Sequence, residues 1–175
     1  MATMTDQQLH EVLTDPIATQ LLSASIPTRL AYAGRDGAPR VVPMGSWWTG
    51  SQLVMCTVPN APKVAALQRD PRVAVTIDTE GMPPHVLLLR GRAEVTVVDG
   101  VPDEFLQAGH KQVPDEMFPQ WEAEVRRLYV SMARIAVTPT WAKILDFETR
   151  IPQAVEELAR QAGAAAEHTS DGRER

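Results

Sequence analysis

Residues 40–63 read RVVPMGSWWTGSQLVMCTVPNAPK. Residues 39–48 are apolar and β-prone, Thr49-Gly50-Ser51 supplies a tight turn, and residues 52–58 return as an antiparallel strand rich in Val, Leu and Thr. Pro59-Asn60-Ala61-Pro62 breaks that strand, and Lys63 opens a short helix to about residue 69. The first N–H groups of a helix have no partner inside it, so a cation on that turn makes a chemically sensible anion site. A Lys after a hairpin is also ordinary surface, and on residue types alone both readings stand.

Outward from this stretch the pattern stays β. Upstream, residues 28–34 (TRLAYAG) alternate as a strand, and Gly37 sits in the turn 35–39 where positive φ is needed. Two short helices precede it, over 5–13 with Thr5 as N-cap and over 16–23 with Pro16 as first helical residue. Downstream, residues 72–78 (RVAVTID) alternate cleanly, and 85–98 form a long strand interrupted at Gly91, where a bulge or bend is expected. Residues 99–120 are Pro-punctuated and hold one or two short helices, 120–130 a better helix, 131–138 a strand, and 141–147 a last or edge strand after Pro139. The expectation is a mainly β (α+β) fold: a six- to seven-stranded, mostly antiparallel β-barrel with flanking helices, one domain over 1–150, a C-terminal helix over 151–165 and a disordered tail over 166–175.

An apolar content of 44% builds a core without staples, and a net charge of −5 with mixed signs argues against a general nucleic-acid binder. The single cysteine, Cys56, rules out an internal disulfide and reads as a buried, inert thiol on an apolar strand. No signal-peptide layout and no membrane-length apolar run is present, so a cytoplasmic protein free of membrane is expected. The histidines are scattered, giving no metal site, and Asp103, Glu104, Asp115 and Glu116 read as solvated loop residues. Walker, dinucleotide and nucleophile-elbow motifs are absent, which suits chemistry carried by a cofactor; no catalytic side chain is assigned.

The order of residues in 40–63 resembles the flavin-binding core of the pyridoxamine 5′-phosphate oxidase-like family, the FMN-binding split barrels. Arg40-Val41-Val42-Pro43-Met44-Gly45 falls on the family's first motif, Cys56-Thr57 on its aromatic-Thr pair and Pro62-Lys63 on the end of its Ser-Arg-Lys, while Asp70-Pro71-Arg72-Val73 continues the match. The resemblance implies FMN as cofactor, with Arg40 and Lys63 on the phosphate, Thr57 toward the phosphate or ribityl chain, Val41, Val42, Pro43 and Met44 along the ring, and Cys56 and Pro62 beside them. It implies a homodimer with the cofactor at the subunit interface and an oxidoreductase acting on a small molecule. The alternatives are a deazaflavin reductase using coenzyme F-420 on the same fold, or a non-catalytic flavin- or haem-binding module. Vitamin B6 oxidation is not expected: Gly45 replaces the Lys that holds the substrate phosphate, Ala61-Pro62 replaces Ser-Arg, and residues 146–152 lack the basic C-terminal segment.

Overall fold

A computed structural model describes residues 4–171, with side chains described as far as residue 162. Two helices open the chain, α1 (Asp6–Leu13) and α2 (Pro16–Ser23). Thr5 and Gln8 form a reciprocal capping box on α1, and the Asp15 carboxylate accepts the Ile17 N–H at 2.9 Å to start α2. Both caps satisfy donors that have no partner within the helix.

The seven strands are β1 (Thr28–Ala33), β2 (Pro39–Met44), β3 (Trp47–Trp48), β4 (Leu53–Thr57), β5 (Arg72–Asp78), β6 (Val86–Asp99) and β7 (Ser131–Leu145). They form one sheet in the order β2-β1-β5-β6-β7-β4-β3, antiparallel at every pairing. Its two edge strands, β2 and β3, are joined only by Gly45-Ser46. Laid flat, seven strands would put their edges about 29 Å apart, whereas the three Cα steps from Met44 to Trp47 reach about 11 Å at most. The sheet therefore has to curl into a barrel, split along the seam that this link crosses. The buried Thr28 and Ser46 hydroxyls bond at 2.6 Å and fasten the link to the start of β1.

The barrel core contains Leu30, Leu53, Met55, Ile77, Leu87, Leu89, Ile135 and Val137, with α2 adding Ala18, Leu21 and Leu22. On β5 the alternation appears as burial of Val73, Val75 and Ile77. Helix α3 (Pro62–Arg69) follows β4, while α4 (Asp103–His110) and α5 (Phe118–Leu128) fill the β6–β7 connection. The bulge expected at Gly91 is present: the β6–β7 register shifts between Arg90 and Gly91, and a Cβ on Gly91 would lie 2.2 Å from the Thr138 carbonyl oxygen.

Three expectations need correction. The strand expected over 40–48 is two strands on opposite edges of the sheet: β2 pairs with β1, and only Trp47 and Trp48 pair with β4. The strand expected to end near Pro139 runs unbroken to Leu145, because Pro139 lies opposite Gly91 at the bulge, where the ladder makes no regular demand for its missing N–H. Glu104 is half-buried on α4 rather than solvated in a loop. The expected boundary between C-terminal helix and tail falls inside α6 (Gln153–Asp171), whose backbone stays helical past 165; residues 172–175 of the expected tail lie outside the described residues. Among the described residues no helix is long and apolar enough to cross a membrane, and no His, Cys, Asp and Glu cluster suits a metal.

Candidate functional site

Two concave regions flank the seam. The first is an open cleft between the β1–β2 turn and α3, lined by Tyr32, Gly34, Arg35, Asp36, Arg40 and Pro62 among others. Arg69, at the far end of α3, clamps the turn by donating to the carbonyls of Arg35 (2.6 Å) and Gly34 (3.0 Å). Arg40 donates to Asp36 Oδ2 at 2.7 Å and to the Pro39 carbonyl. The Ala38 N–H and the Arg40 guanidinium hold the Asp36 carboxyl below its ordinary range. Both partners of this pair face solvent, where water screens the attraction, so an incoming anion can displace Asp36 at small cost.

Helix α3 starts without a side-chain cap, since its N-cap is Ala61. Pro62 has no N–H to satisfy and the Val64 N–H returns to the Ala61 carbonyl at 2.9 Å. Lys63 is left with both its backbone N–H and its ammonium unpartnered among the described residues. Two further cations nearby are committed: Arg69 to the turn carbonyls, and Arg72 to Asp70 through Nε (2.9 Å) and Nη2 (2.6 Å).

The second region is a cavity of about 190 Å³ between β4 and the α4–α5 pair, with Gly45 and Cys56 on its wall. Phe105 stacks on Trp121 at 5.9 Å and meets Tyr129 edge-on, joining the two helices. Glu104 Oε1 accepts Nε (3.0 Å) and Nη2 (2.7 Å) of Arg134, the residue paired with Cys56 across β4–β7. Burial pushes the Glu104 carboxyl up, but the Arg134 guanidinium outweighs it and holds the group below its ordinary range. Burial, with the Glu104 charge adding to it, pushes the Cys56 thiol up to about 12. Cys56 therefore stays protonated at neutral pH and is no nucleophile.

Lys111 joins the cavity wall to the seam. Its Nζ donates to the carbonyls of Leu22 (2.8 Å) and Ser46 (3.1 Å) and lies 5.3 Å from the Trp47 ring centroid. Burial lowers its pKa. Trp48 packs on the barrel core, and both Trp47 and Trp48 line a small apolar hollow beside α2. Arg90 lies over the Trp141 ring at 4.3 Å.

Arg40 and Pro62 share the first cleft, and Lys63 follows on the same turn of α3. Cys56 lines the second cavity, and Thr57 is half-buried at the end of β4 on the opposite face. Val42 and Met44 pack toward the core, while Val41 and Pro43 are exposed on the outer side of β2. Glu104, Lys111, Trp121 and Arg134 carry no sequence signal, because each is defined by a partner from a distant segment.

The family model for pyridoxamine 5′-phosphate oxidase matches residues 14–143. The chain belongs to that family. An F-420 reductase of known structure is 25% identical, with a TM-score of 0.56 over 71% of this chain and 94% of its own. A conserved hypothetical protein from Mycobacterium tuberculosis (17% identity, TM-score 0.55, 86% of this chain and 90% of that one) shares the fold. So does general stress protein 26 from Bacillus anthracis (15%, 0.54, 82% and 99%). No curated protein is a significant match. The family match, with an F-420 reductase among the structural neighbours, supports a flavin- or deazaflavin-type oxidoreductase family and agrees with the mainly β barrel fold expected from the sequence.

Proposed function

We propose that the chain is a flavin-dependent oxidoreductase that holds FMN with its phosphate in the cleft between α3 and the β1–β2 turn. The observation that carries this reading is Lys63, whose ammonium and N–H are both unspent at an uncapped helix N-terminus beside Arg40's cleft. A phosphate there would meet a helix dipole, a free N–H and a cation together. Arg40 would exchange Asp36 for the same anion, and Arg35 lines the cleft as a further cation. Thr57 offers a hydroxyl, Val41 to Met44 offer backbone groups and apolar contact along β2, and Cys56 and Pro62 bound the two sides. When bound, the flavin supplies electron or hydride transfer through its own ring. The chain's part is binding, orientation and exclusion of competing chemistry: Cys56 keeps its proton, and Glu104 stays ionised against Arg134.

The cleft is open, and Val41 on edge strand β2 is 64% exposed. A second copy of the chain covering this side would complete the pocket, so the reading includes a homodimer acting on a small molecule. The F-420 reductase neighbour favours a second reading, a deazaflavin reductase. Against it, the anionic tail of F-420 would ask for cations that Arg69 and Arg72 already spend elsewhere.

Fluorescence titration of cofactor-stripped protein with FMN and with F-420 separates the readings. Tight FMN binding is expected, weakened about 10- to 100-fold in Lys63→Ala, the loss of a charge-assisted phosphate contact. Tight F-420 binding with weak FMN binding supports the deazaflavin reading instead. Binding of neither overturns both.

A further inference from the structure

The cavity beneath α4 and α5 lies outside the phosphate cleft, yet Gly45, on its wall, directly follows the last residue of β2. It thus adjoins the end of the strand proposed to run beside the flavin ring. At about 190 Å³ it is somewhat larger than the ~150 Å³ apolar cavity that accommodates benzene. Its size therefore suits one ring with a short substituent.

The walls specify more than size. Phe105 and Trp121 present aromatic surface, and Trp121 is held hard against the α4 backbone: a Cβ on Gly109 would sit 2.1 Å from the indole. Both Arg134 hydrogen bonds go to Glu104 Oε1, so Oε2 takes no side-chain donor among the described residues. A half-buried carboxylate oxygen without a donor invites one. Gln112, exposed at the rim, has an uncommitted amide. Among the described residues no cation is free to meet an anion here: the Arg134 guanidinium faces Glu104, and the Lys111 ammonium is spent on the carbonyls of Leu22 and Ser46.

We propose that this cavity binds a small single-ring molecule, neutral or cationic, that places an N–H or O–H donor on Glu104 Oε2 and its ring against Phe105 and Trp121. As the substrate compartment of the oxidoreductase it rests on the reading above; as a binding pocket it stands without flavin.

The test uses the full-length, flavin-free chain, so it does not depend on the cofactor reading, and failure of the FMN titration would leave its result intact. Benzamidine, phenol and benzoate serve as probes in ligand-observed NMR titrations. Benzamidine and phenol are expected to bind, and benzoate about tenfold more weakly or not at all. Glu104→Gln should weaken benzamidine about tenfold or more. Because that change also disturbs Arg134, a second variant leaves the ion pair alone: Gly45→Leu fills the cavity from β2, where a Cβ makes only ordinary contact with Ala108 at 3.8 Å. It should abolish binding of both probes while the melting temperature holds. Benzoate binding as well as benzamidine, affinity indifferent to both substitutions, or binding of none of the probes would each overturn the proposal.

Discussion

Gly91 shows how one residue sets the path of two strands. Its missing side chain lets β6 press onto the Thr138 carbonyl, where even a methyl group would sit at 2.2 Å from backbone oxygen. Backbone cannot rotate away as a side chain can, so Gly91→Ala should destabilise the chain by about 2–4 kcal/mol, read as a lower denaturant midpoint. Asp146 acts through charge. The Thr149 hydroxyl donates to it at 2.6 Å, and the N–H groups of Glu148, Thr149 and Arg150 converge on Oδ1, holding the carboxyl well below its usual range. A folded pKa below the unfolded value of about 3.9 means that this stabilisation is complete above that pH and is lost as pH falls through the folded pKa. Asp146→Asn should melt below wild type at pH 7, with the gap closing as thermal melts are repeated toward pH 2. Single residues were legible from sequence where the requirement was local. Thr5 and Asp15 cap, and Gly91 bulges, because neighbouring backbone demands it. Glu104 reads as solvated from its neighbours alone, since its Arg134 partner lies 30 residues away.

At the scale of elements, the same division separates what periodicity reveals from what it hides. The alternation over 72–78 reproduces β5 residue for residue, because one buried face is enough to write a period of two. The run 40–48 is equally β-prone, yet apolar pattern does not name a strand's partner, and the switch at Gly45-Ser46 from one sheet edge to the other leaves no periodic trace. What holds the switch is tertiary. Thr28 bonds Ser46 through side chains, and Lys111 reaches the Ser46 carbonyl from α4's C-cap and the Leu22 carbonyl at the end of α2. Lys111→Met keeps the length of the side chain and removes both bonds. For a half-buried ammonium the cost should be about 1–2 kcal/mol. If Lys111 also fastens the seam, hydrogen exchange of the Ser46 to Trp48 amides should rise more than the global loss accounts for. Uniform loosening would show that the lysine stabilises without directing the link.

For the whole molecule, the proposed dimer ties surface to function. Exposed apolar residues gather at one end of the barrel: Val97 on β6, and Leu128 and Val130 where α5 passes into β7, brought together by pairing of Asp99 with Ser131. Val130 is 86% exposed and Leu128 70%, an arrangement that water disfavours unless another surface covers it. Thr57 shares a rung with Ala133 and Val97, so this end is continuous with the strand that carries one of the proposed cofactor residues. The folded monomer does not need Val130, which makes it a probe of association rather than of folding. Val130→Asp should leave the melting temperature of dilute protein near wild type while burying a charge in a dimer face that extends from the cleft to this end. Sedimentation equilibrium should then show the dimer weakened about a hundredfold. If the flavin lies between subunits, FMN affinity should fall with dimer content and recover as protein concentration rises. A dimer lost with FMN affinity unchanged would place the whole cofactor site within one chain, and an unchanged dimer would confine the interface to the β2 side that closes the cleft, without this end of the barrel.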